Sequence, residues 1–256
     1  MKKCILFASH IPSENKLFVG KESLDKFVES FSDYDIYIGI NNSCVEWIDT
    51  VKEYSNKLSI IYEITPKNLL DTGGGAAYQT ALRLLKNSGV KYDIYWFGHT
   101  KGATSNCHNF RKEVFGLFWD QKEKIEYEIF ENGYSLYSPY IGVTGQNYLN
   151  TTIPVFIKGE PNDDLCSFYS FWVHSGEVVN EFIDRCIPEF FNTNLLSFKR
   201  IGGNDGIDRY FFERDFPMIY QTVSKTPKLL YNTISTEKTP YLINILNNIN
   251  NTKIDF

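Results

Sequence analysis

Short apolar segments alternate with segments of helical periodicity through the first hundred residues, and this alternation constrains the fold more than any other feature. The apolar segments have the length of buried strands and lie at residues 3–8, 34–43, 58–64 and 92–98. Helical spacing of apolar side chains marks residues 22–31, residues 45–54 and the segment after residues 71–75. Strands that alternate with helices predict an α/β fold with a Rossmann-like, mainly parallel central sheet flanked by helices.

The second half of the chain has a less regular pattern. The segments with a recognisable pattern are a helix at residues 110–119, strands and loops at 126–157, a buried strand within 168–176, a helix at 178–190, a Gly-rich turn leading into a helix within 201–217, and a helical stripe at 241–249. Because no linker or internal repeat interrupts this series, we predict one domain over residues 1–256, with halves at residues 1–105 and 106–256.

Charge and cysteine content exclude several classes of protein. The net charge is −5 and no long basic run is present, which argues against binding to nucleic acid. The five cysteines are widely spaced and form no Cys-x-x-Cys pair, which is typical of reduced thiols in a cytoplasmic protein. No apolar run reaches about 18 residues, so we predict no transmembrane segment and leave peripheral membrane association open.

Small polar residues follow each of the predicted N-terminal strands. They are Ser9 and His10 after the first strand, Asn41 and Asn42 after the second, the turn at residues 70–75 after the third, and residues 98–101 after the fourth. In open α/β sheets, ligands bind outside the carboxyl ends of the strands. We therefore expect these four segments to converge on one ligand-binding edge.

Three glycines in the stretch DTGGGAAYQT, namely Gly73, Gly74 and Gly75, open the helix that follows the third strand. Backbone amides at a helix N-terminus bind anions, and the helix dipole favours negative charge there. The stretch is not a P-loop, because no Gly-Lys-Ser/Thr follows, and Tyr78 breaks the dinucleotide fingerprint. Close packing of helix against strand is the alternative explanation for these glycines.

The stretch FGHTKG ends the fourth apolar strand with an imidazole, a hydroxyl and an ammonium. Lys101 would neutralise a phosphate, and His99 would donate a hydrogen bond or ligate a metal. Gly98 and Gly102 would let a substrate approach the backbone. A plain turn with a solvated lysine is the alternative interpretation.

The stretch GGNDGIDRYFFERDF is rich in acids. Asp205 lies in its Gly-rich turn, where a carboxylate can act as the general base on a hydroxyl acceptor, and Glu213 is the second candidate. Arg209 and Glu213 are four residues apart, so a surface ion pair on a helix is the alternative for that pair. His174 ends an apolar strand and is expected either to line the same cleft or to be a buried core histidine.

Together these segments resemble GT-A-type glycosyltransferases, and more narrowly the bacterial and giant-virus group related to rhamnan-synthesis proteins and chlorella-virus capsid glycosyltransferases. The resemblance is carried by His-Thr-Lys-Gly at residues 99–102, by the aromatic strand at residues 168–176 and by Asp-Arg-Tyr-Phe-Phe-Glu at residues 208–213. It covers roughly residues 3–217. It implies a GT-A-like fold and a cytoplasmic enzyme of polysaccharide biosynthesis.

The resemblance also implies a division of roles. A nucleotide-diphosphate sugar would lie across the strand ends of residues 1–105, and residues 106–256 would face the acceptor, a glycan, a lipid-linked sugar or a protein glycan. The residues that we expect to bind the donor are His10, Asp71, Gly73, Gly74, Gly75, His99, Thr100 and Lys101. The residues that we expect to be catalytic are Asp205 and Glu213.

The chain departs from this family at the position of its metal-binding motif. GT-A enzymes carry Asp-x-Asp there and hold Mn²⁺ or Mg²⁺ with it, whereas this sequence has Gly98, His99 and Thr100. Carboxylates suit hard divalent ions better than imidazole does. Dependence on Mn²⁺ or Mg²⁺ is therefore left open, with Lys101 supplying the positive charge or with Asp71 or Asp93 reaching a metal from a neighbouring loop.

Two other functions remain as alternatives. A sugar-phosphate nucleotidyltransferase would need a basic, Gly-rich loop directly after the first strand, and the stretch SHIPSENK contains no glycine. A non-catalytic nucleotide- or glycan-binding protein would bind sugar nucleotides without releasing nucleotide from them.

Overall fold

The computed structural model describes only part of the chain. The described residues are 1–65, 75–101, 103, 108–143, 165–167, 170–186, 191, 216, 219–223, 228–234 and 250–254.

Nine strands of this described part form one mixed sheet. They are β1 (Lys3–Ser9), β2 (Asp35–Ile40), β3 (Ser59–Ile64), β4 (Ile94–His99), β5 (Leu136–Val143), β6 (Leu165–Ser167), β7 (Trp172–Ser175), β8 (Lys228–Ile234) and β9 (Asn250–Lys253). The order across the sheet is β3-β2-β1-β4-β7-β5-β8-β9, with β6 paired to β5. The first four strands are parallel, β7 is antiparallel to both of its neighbours, and β5, β8 and β9 are again parallel.

Helices cover both faces of the sheet. They are α1 (Leu17–Ser30), α2 (Val45–Tyr54), α3 (Gly75–Ser88), α4 (His108–Leu117), α5 (Lys122–Glu131), α6 (Gly176–Arg185) and α7 (Ile219–Val223). Helices α1, α2, α4 and α5 pack on one face, and α3, α6 and α7 pack on the other. This agrees with the predicted α/β fold class, a Rossmann-like and mainly parallel sheet flanked by helices, and that part of the prediction is confirmed. No described helix is long and apolar enough to cross a membrane.

Strands β1, β2 and β4 are continuous apolar runs because both of their faces are covered. In β1, Cys4, Leu6 and Ala8 point into the cluster under α3, while Ile5 and Phe7 point into the cluster under α1 and α2. All five side chains are buried. A strand with one solvated face would alternate polar and apolar residues instead.

The glycine at position 39 of β2 has no side chain, and this allows α3 to pack directly against the sheet. A Cβ atom at Gly39 would lie 1.9 Å from the carbonyl oxygen of Ala77, so only glycine fits there. Gly39 is the residue before the last of β2, and Ala77 lies in the first turn of α3. The contact therefore fixes the beginning of α3 at the carboxyl edge of the parallel strands.

Several predicted elements differ from the structure. Helix α1 begins at Leu17 rather than residue 22, and α5 occupies part of the region predicted to be strands and loops. The signal for α5 is the pair Ile125 and Ile129, spaced by four and both buried, but the surrounding aromatic residues obscure it. The predicted buried strand is confirmed as β7. The predicted helices within residues 201–217 and at 241–249 lie outside the described residues, except for Phe216.

His174 is a core residue and does not line a cleft. It is fully buried in β7 opposite Tyr95 of β4, and its ring packs edge-on against Phe97 and Phe216. Burial lowers the pKa of His174 to about 3, and a long contact of 3.4 Å from Nδ1 to the carbonyl oxygen of Ser135 opposes this shift only in part. The imidazole is therefore neutral in the folded protein.

We predict that His174 makes the folded state sensitive to acid. Below the ordinary histidine pKa of about 6.5, the unfolded chain binds a proton that the folded chain does not bind until about pH 3. The stability that depends on a neutral His174 is fully present above pH 6.5. It is lost as the pH falls, with a slope of up to about 1.4 kcal/mol per pH unit. Urea unfolding of wild type and His174→Phe at pH 4 to 7 should give the shallower slope for the variant, and equal slopes would contradict the burial.

Candidate functional site

Strands β1, β2 and β4 end in register, so their last residues leave the sheet together. Ala8 of β1 pairs with Gly39 on one side and with His99 on the other. The next amides continue the ladder: Asn41 donates to the carbonyl of Ser9 at 2.9 Å, and Thr100 donates to that of Ala8 at 3.2 Å. The chain passes from β1 to β2 on one side, but β4 lies on the other side, so the carboxyl ends of β1 and β4 flank a topological switch point.

His10 lies at this switch point with its ring orientation fixed. Its Nδ1 atom is 2.9 Å from the backbone carbonyl oxygen of Asn41. A carbonyl oxygen only accepts hydrogen bonds, so Nδ1 must carry the proton in the neutral ring. Nε2 of the partly buried His10 is then a hydrogen-bond acceptor in the neutral ring and becomes a donor when the ring is protonated.

Thr100 joins the end of β4 to the end of β1. Its Oγ1 atom accepts from the His10 amide at 2.9 Å and donates to the His10 carbonyl at 3.1 Å. The only proton of the hydroxyl is used in the second bond, and Thr100 is almost fully buried. The structure thus places Thr100, expected among the donor-binding residues, as the residue that holds His10 in position.

The loop after β2 supports His10 from the other side. Ser43 Oγ donates to the carbonyl of Asn41 at 3.2 Å and accepts from the amide of Ile11 at 2.9 Å. Asn42 has a positive φ of 40°, a conformation that asparagine tolerates better than most residues. Asn41 was expected at this ligand-binding edge, whereas Ser43 was not singled out, although the polar stretch directly after a buried strand marks its position.

His99 and Gly98 meet an aromatic cluster. The rings of His99 and Phe171 lie 5.1 Å apart. A Cβ atom at Gly98 would lie 2.5 Å from the Trp119 side chain and 3.4 Å from that of Phe171. The expectation that Gly98 admits a substrate is therefore wrong, because indole packing takes that space. Gly102 lies outside the described residues.

Lys101 follows in a tight turn beside α4. Its amide donates to the carbonyl of His99 at 2.8 Å, and its Nζ atom lies 5.5 Å from the ring centroid of Phe110. The side chain is partly buried, so the alternative of a fully solvated lysine does not hold. A positive charge therefore lies at the carboxyl edge of β4.

The N-terminus of α3 lies at the same edge. Gly75 begins this helix and is buried, and the helix packs on β1 and β2 through the contact between Gly39 and Ala77. Because α3 links two parallel strands, it runs against them and starts at their carboxyl ends. The positive end of its dipole and the ammonium of Lys101 thus belong to one edge of the sheet. Asp71, Gly73, Gly74, Asp205 and Glu213 lie outside the described residues.

The amino edge carries a different kind of polar cluster. Tyr92 donates to the carboxylate of Asp35 at 2.8 Å and shares a second hydrogen bond of 2.8 Å with the hydroxyl of Tyr37. Burial raises the pKa of Tyr92 well above its ordinary value, so it remains a neutral donor. These groups satisfy one another inside the fold, as expected of structural rather than ligand-binding residues.

Asp93 also lies at the amino edge, which removes it as a metal ligand for the switch point. Its carboxylate accepts from the amide of Lys2 at 2.7 Å, and β4 separates it from His99 by roughly 20 Å. Within the described residues, no three His, Cys, Asp or Glu side chains come together. At the ends of β1, β2 and β4, the described residues contribute the imidazoles of His10 and His99 and the ammonium of Lys101 but no carboxylate, and this set does not fit Mn²⁺ or Mg²⁺.

Comparisons with known proteins give few matches. No protein family matches the chain, and no curated protein matches it in sequence. Among solved structures it is similar to S. aureus TarS 1-349, with 14% identity and a TM-score of 0.46 over 93% of this chain and 59% of that chain. TarS 1-349 in complex with UDP-GlcNAc gives 11% identity and a TM-score of 0.42, over 93% of this chain and 57% of that chain.

TarS 1-349 in complex with UDP gives 13% identity and a TM-score of 0.39, over 74% of this chain and 51% of that chain. The chain thus spans less than two thirds of the length of these TarS chains. No comparison supports the narrower resemblance to rhamnan-synthesis or chlorella-virus capsid glycosyltransferases.

We predict that the hydroxyl of Thr100 stabilises the carboxyl edge. Thr100→Val keeps the shape but leaves the partly buried amide and carbonyl of His10 without this partner, which should lower the free energy of unfolding by about 1–3 kcal/mol. Thr100→Ser keeps the hydroxyl and should lose less. Urea denaturation measures both.

Thr50→Val is the matched control, because the Thr50 hydroxyl donates to the carbonyl of Glu46 one helical turn earlier. Removing such a bond leaves no unpaired backbone amide, so the change should stay within about 0.5 kcal/mol. If Thr100→Val were as stable as the control, the link between β1 and β4 would not form in solution.

Proposed function

We propose that this protein is a glycosyltransferase that moves a sugar from a nucleotide-diphosphate sugar to a hydroxyl of a glycan or glycoconjugate. The observation that carries the proposal is that His10, Lys101 and the α3 N-terminus all lie at the carboxyl edge of β1, β2 and β4. An open edge at a topological switch point is where α/β sheets bind nucleotides. Two positive features there suit a diphosphate.

Lys101 has a direct chemical role in this proposal. When the acceptor oxygen bonds to the anomeric carbon, the bond from that carbon to the diphosphate oxygen breaks, and negative charge grows on the leaving diphosphate. An ammonium placed beside that oxygen stabilises the charge more in the transition state than in the ground state. Lys101 would supply this stabilisation together with the N-terminus of α3.

His10 would orient the donor. Its Nδ1 proton is held by the carbonyl of Asn41, so Nε2 of the neutral ring accepts a hydrogen bond from a hydroxyl or N–H group of the nucleotide. The bond from Nδ1 fixes the ring, and Thr100 fixes the backbone that carries it. A preorganised acceptor of this kind reduces the entropy lost when the donor binds.

The acceptor side of the proposal rests on the sequence. Asp205 would take the proton of the acceptor hydroxyl if the reaction inverts the anomeric centre, and Glu213 is the second candidate. The partner of the reaction would be a glycan, a lipid-linked sugar or a protein glycan. The proposal keeps both alternatives for the charge, with Lys101 in place of a divalent cation or with Asp71 as a ligand of Mn²⁺ or Mg²⁺, since the described residues alone form no site for one.

We predict that Lys101→Ala weakens binding of nucleoside diphosphates while leaving the fold intact. A charge-assisted hydrogen bond lost in this way costs about 1.5–3 kcal/mol, which corresponds to roughly a ten- to hundred-fold rise in Kd. Calorimetry with UDP, GDP, dTDP and their sugars, including UDP-GlcNAc, measures the change.

Lys91→Ala is the matched control for charge. Lys91 lies just before β4 at the opposite edge, where it forms an exposed ion pair with Asp184. The Lys91→Ala variant removes the same charge far from the proposed site and should leave the affinity for nucleoside diphosphates unchanged. If both variants bound donor as tightly as wild type, Lys101 would have no role in binding the diphosphate.

We predict that Asp205→Asn abolishes most transfer to the acceptor while donor binding persists. A general base contributes about 10²–10⁴-fold to rate, and asparagine keeps the size of the side chain but cannot take the proton. Turnover with a glycan acceptor is measured alongside donor affinity, with Glu213→Gln compared in parallel. Turnover within a few-fold of wild type would make Asp205 a turn residue.

The same assays separate the alternatives. Formation of a sugar nucleotide from a sugar phosphate and a nucleoside triphosphate would indicate a nucleotidyltransferase. Binding of sugar nucleotides without release of nucleotide, in the presence of a broad set of acceptors, would indicate a binding protein.

A further inference from the structure

We propose that Phe110 positions the ammonium of Lys101 at the carboxyl edge, an inference that rests on the proposed function. Phe110 lies in the first turn of α4, and its ring centroid is 5.5 Å from Lys101 Nζ. This separation is within the range at which a lysine ammonium is attracted to the face of an aromatic ring. Phe110 would act through Lys101 and is a positioning residue rather than a catalytic one.

The ring of Phe110 is held by a neighbour on the sheet. It contacts the ring of Tyr140 at a centroid distance of 5.8 Å, and Tyr140 belongs to β5 and is 8% exposed. The hydroxyl of Tyr140 donates to the carboxylate of Glu113, one turn further along α4. Phe110 is therefore fixed from the sheet as well as from its own helix.

The first turn of α4 is also tied to α1. Arg111 is 3% exposed, and its Nε atom donates to the carboxylate of Glu22 at 2.8 Å. A second guanidinium nitrogen, NH1, donates to Nδ1 of His108 at 3.1 Å. A buried arginine with these partners resists displacement, because an unpaired charge would be left in the interior. The position of Phe110 relative to β4 is thus set by two separate elements.

The physical advantage concerns conformational entropy. A lysine side chain is long and flexible, and ordering it on binding costs free energy. A ring face is electrically neutral, so it orients an ammonium without neutralising its charge. Lys101 held in this way is arranged before the diphosphate arrives, which lowers the Kd.

The test is a double-mutant cycle with UDP, GDP and dTDP as probes. Phe110→Leu keeps an apolar side chain but removes the ring face, and Phe110→Tyr keeps both. Each change is made in wild type and in Lys101→Ala. Circular dichroism first confirms the fold, and calorimetry then measures the Kd for each nucleotide. If Phe110→Leu fails to fold, Phe110→Met replaces it. Proton NMR of Lys101 gives a readout without nucleotide, since the ring should shift its ε-methylene signal.

We expect Phe110→Leu to raise the Kd for the nucleotides by about two- to five-fold, whereas the Kd of Phe110→Tyr should stay near that of wild type. The shift of the Lys101 ε-methylene signal should disappear only in Phe110→Leu. In the Lys101→Ala background, Phe110→Leu should change Kd no further.

Two results would overturn the inference while leaving the proposed function standing. One is an equal effect of Phe110→Leu in both backgrounds, which would mean that the ring acts independently of Lys101. The other is tighter binding by Phe110→Leu, which would mean that the ring competes with the diphosphate for the ammonium. If wild type bound none of the probes, the proposed function itself would fail, and this inference with it.

Discussion

The contact between Gly39 and Ala77 is the constraint on which the carboxyl edge depends. With no Cβ at Gly39, the backbone of α3 rests directly on β2, and no other residue could occupy that position without moving the helix. The helix therefore starts where β1, β2 and β4 end. Its positive end, the ring of His10 and the ammonium of Lys101 share one edge because of this packing and because the three strands end in register.

The two edges of the sheet use polar groups in opposite ways. At the amino edge, the side chains of Asp35, Tyr37 and Tyr92 form hydrogen bonds with one another. At the carboxyl edge, hydrogen bonds with Thr100 and Asn41 hold His10, and these bonds do not use the ring nitrogen Nε2. A site that binds a charged ligand needs polar side chains that are held in place and still have hydrogen-bonding atoms available for the ligand.

Local sequence patterns predicted the elements whose signals are strong and uniform. The helix at residues 45–54 was predicted with the bounds of α2, because apolar side chains recur at helical spacing and no aromatic run competes with them. The N-terminal strands were located to within a few residues because three of the four, β1, β2 and β4, are buried on both faces. Helix α5 was missed because two buried isoleucines are a weak signal within an aromatic region, and the antiparallel direction of β7 has no local signature at all.

The sequence by itself determined the α/β class and the segments that carry polar residues at strand ends, since strand and helix periods are local properties of the chain. It also singled out residues 99–101 as the place where an apolar strand ends in charge. Only the tertiary structure decided what each of these residues touches. The indole of Trp119 packs against Gly98, and Asp93 lies at the opposite edge of the sheet. His174 is buried in the core, and Thr100 holds His10 by hydrogen bonds. Those outcomes depend on contacts between residues far apart in the chain, about ninety positions for Thr100 with His10 and for Asp93 with Lys2, and such pairings leave no trace in a local pattern.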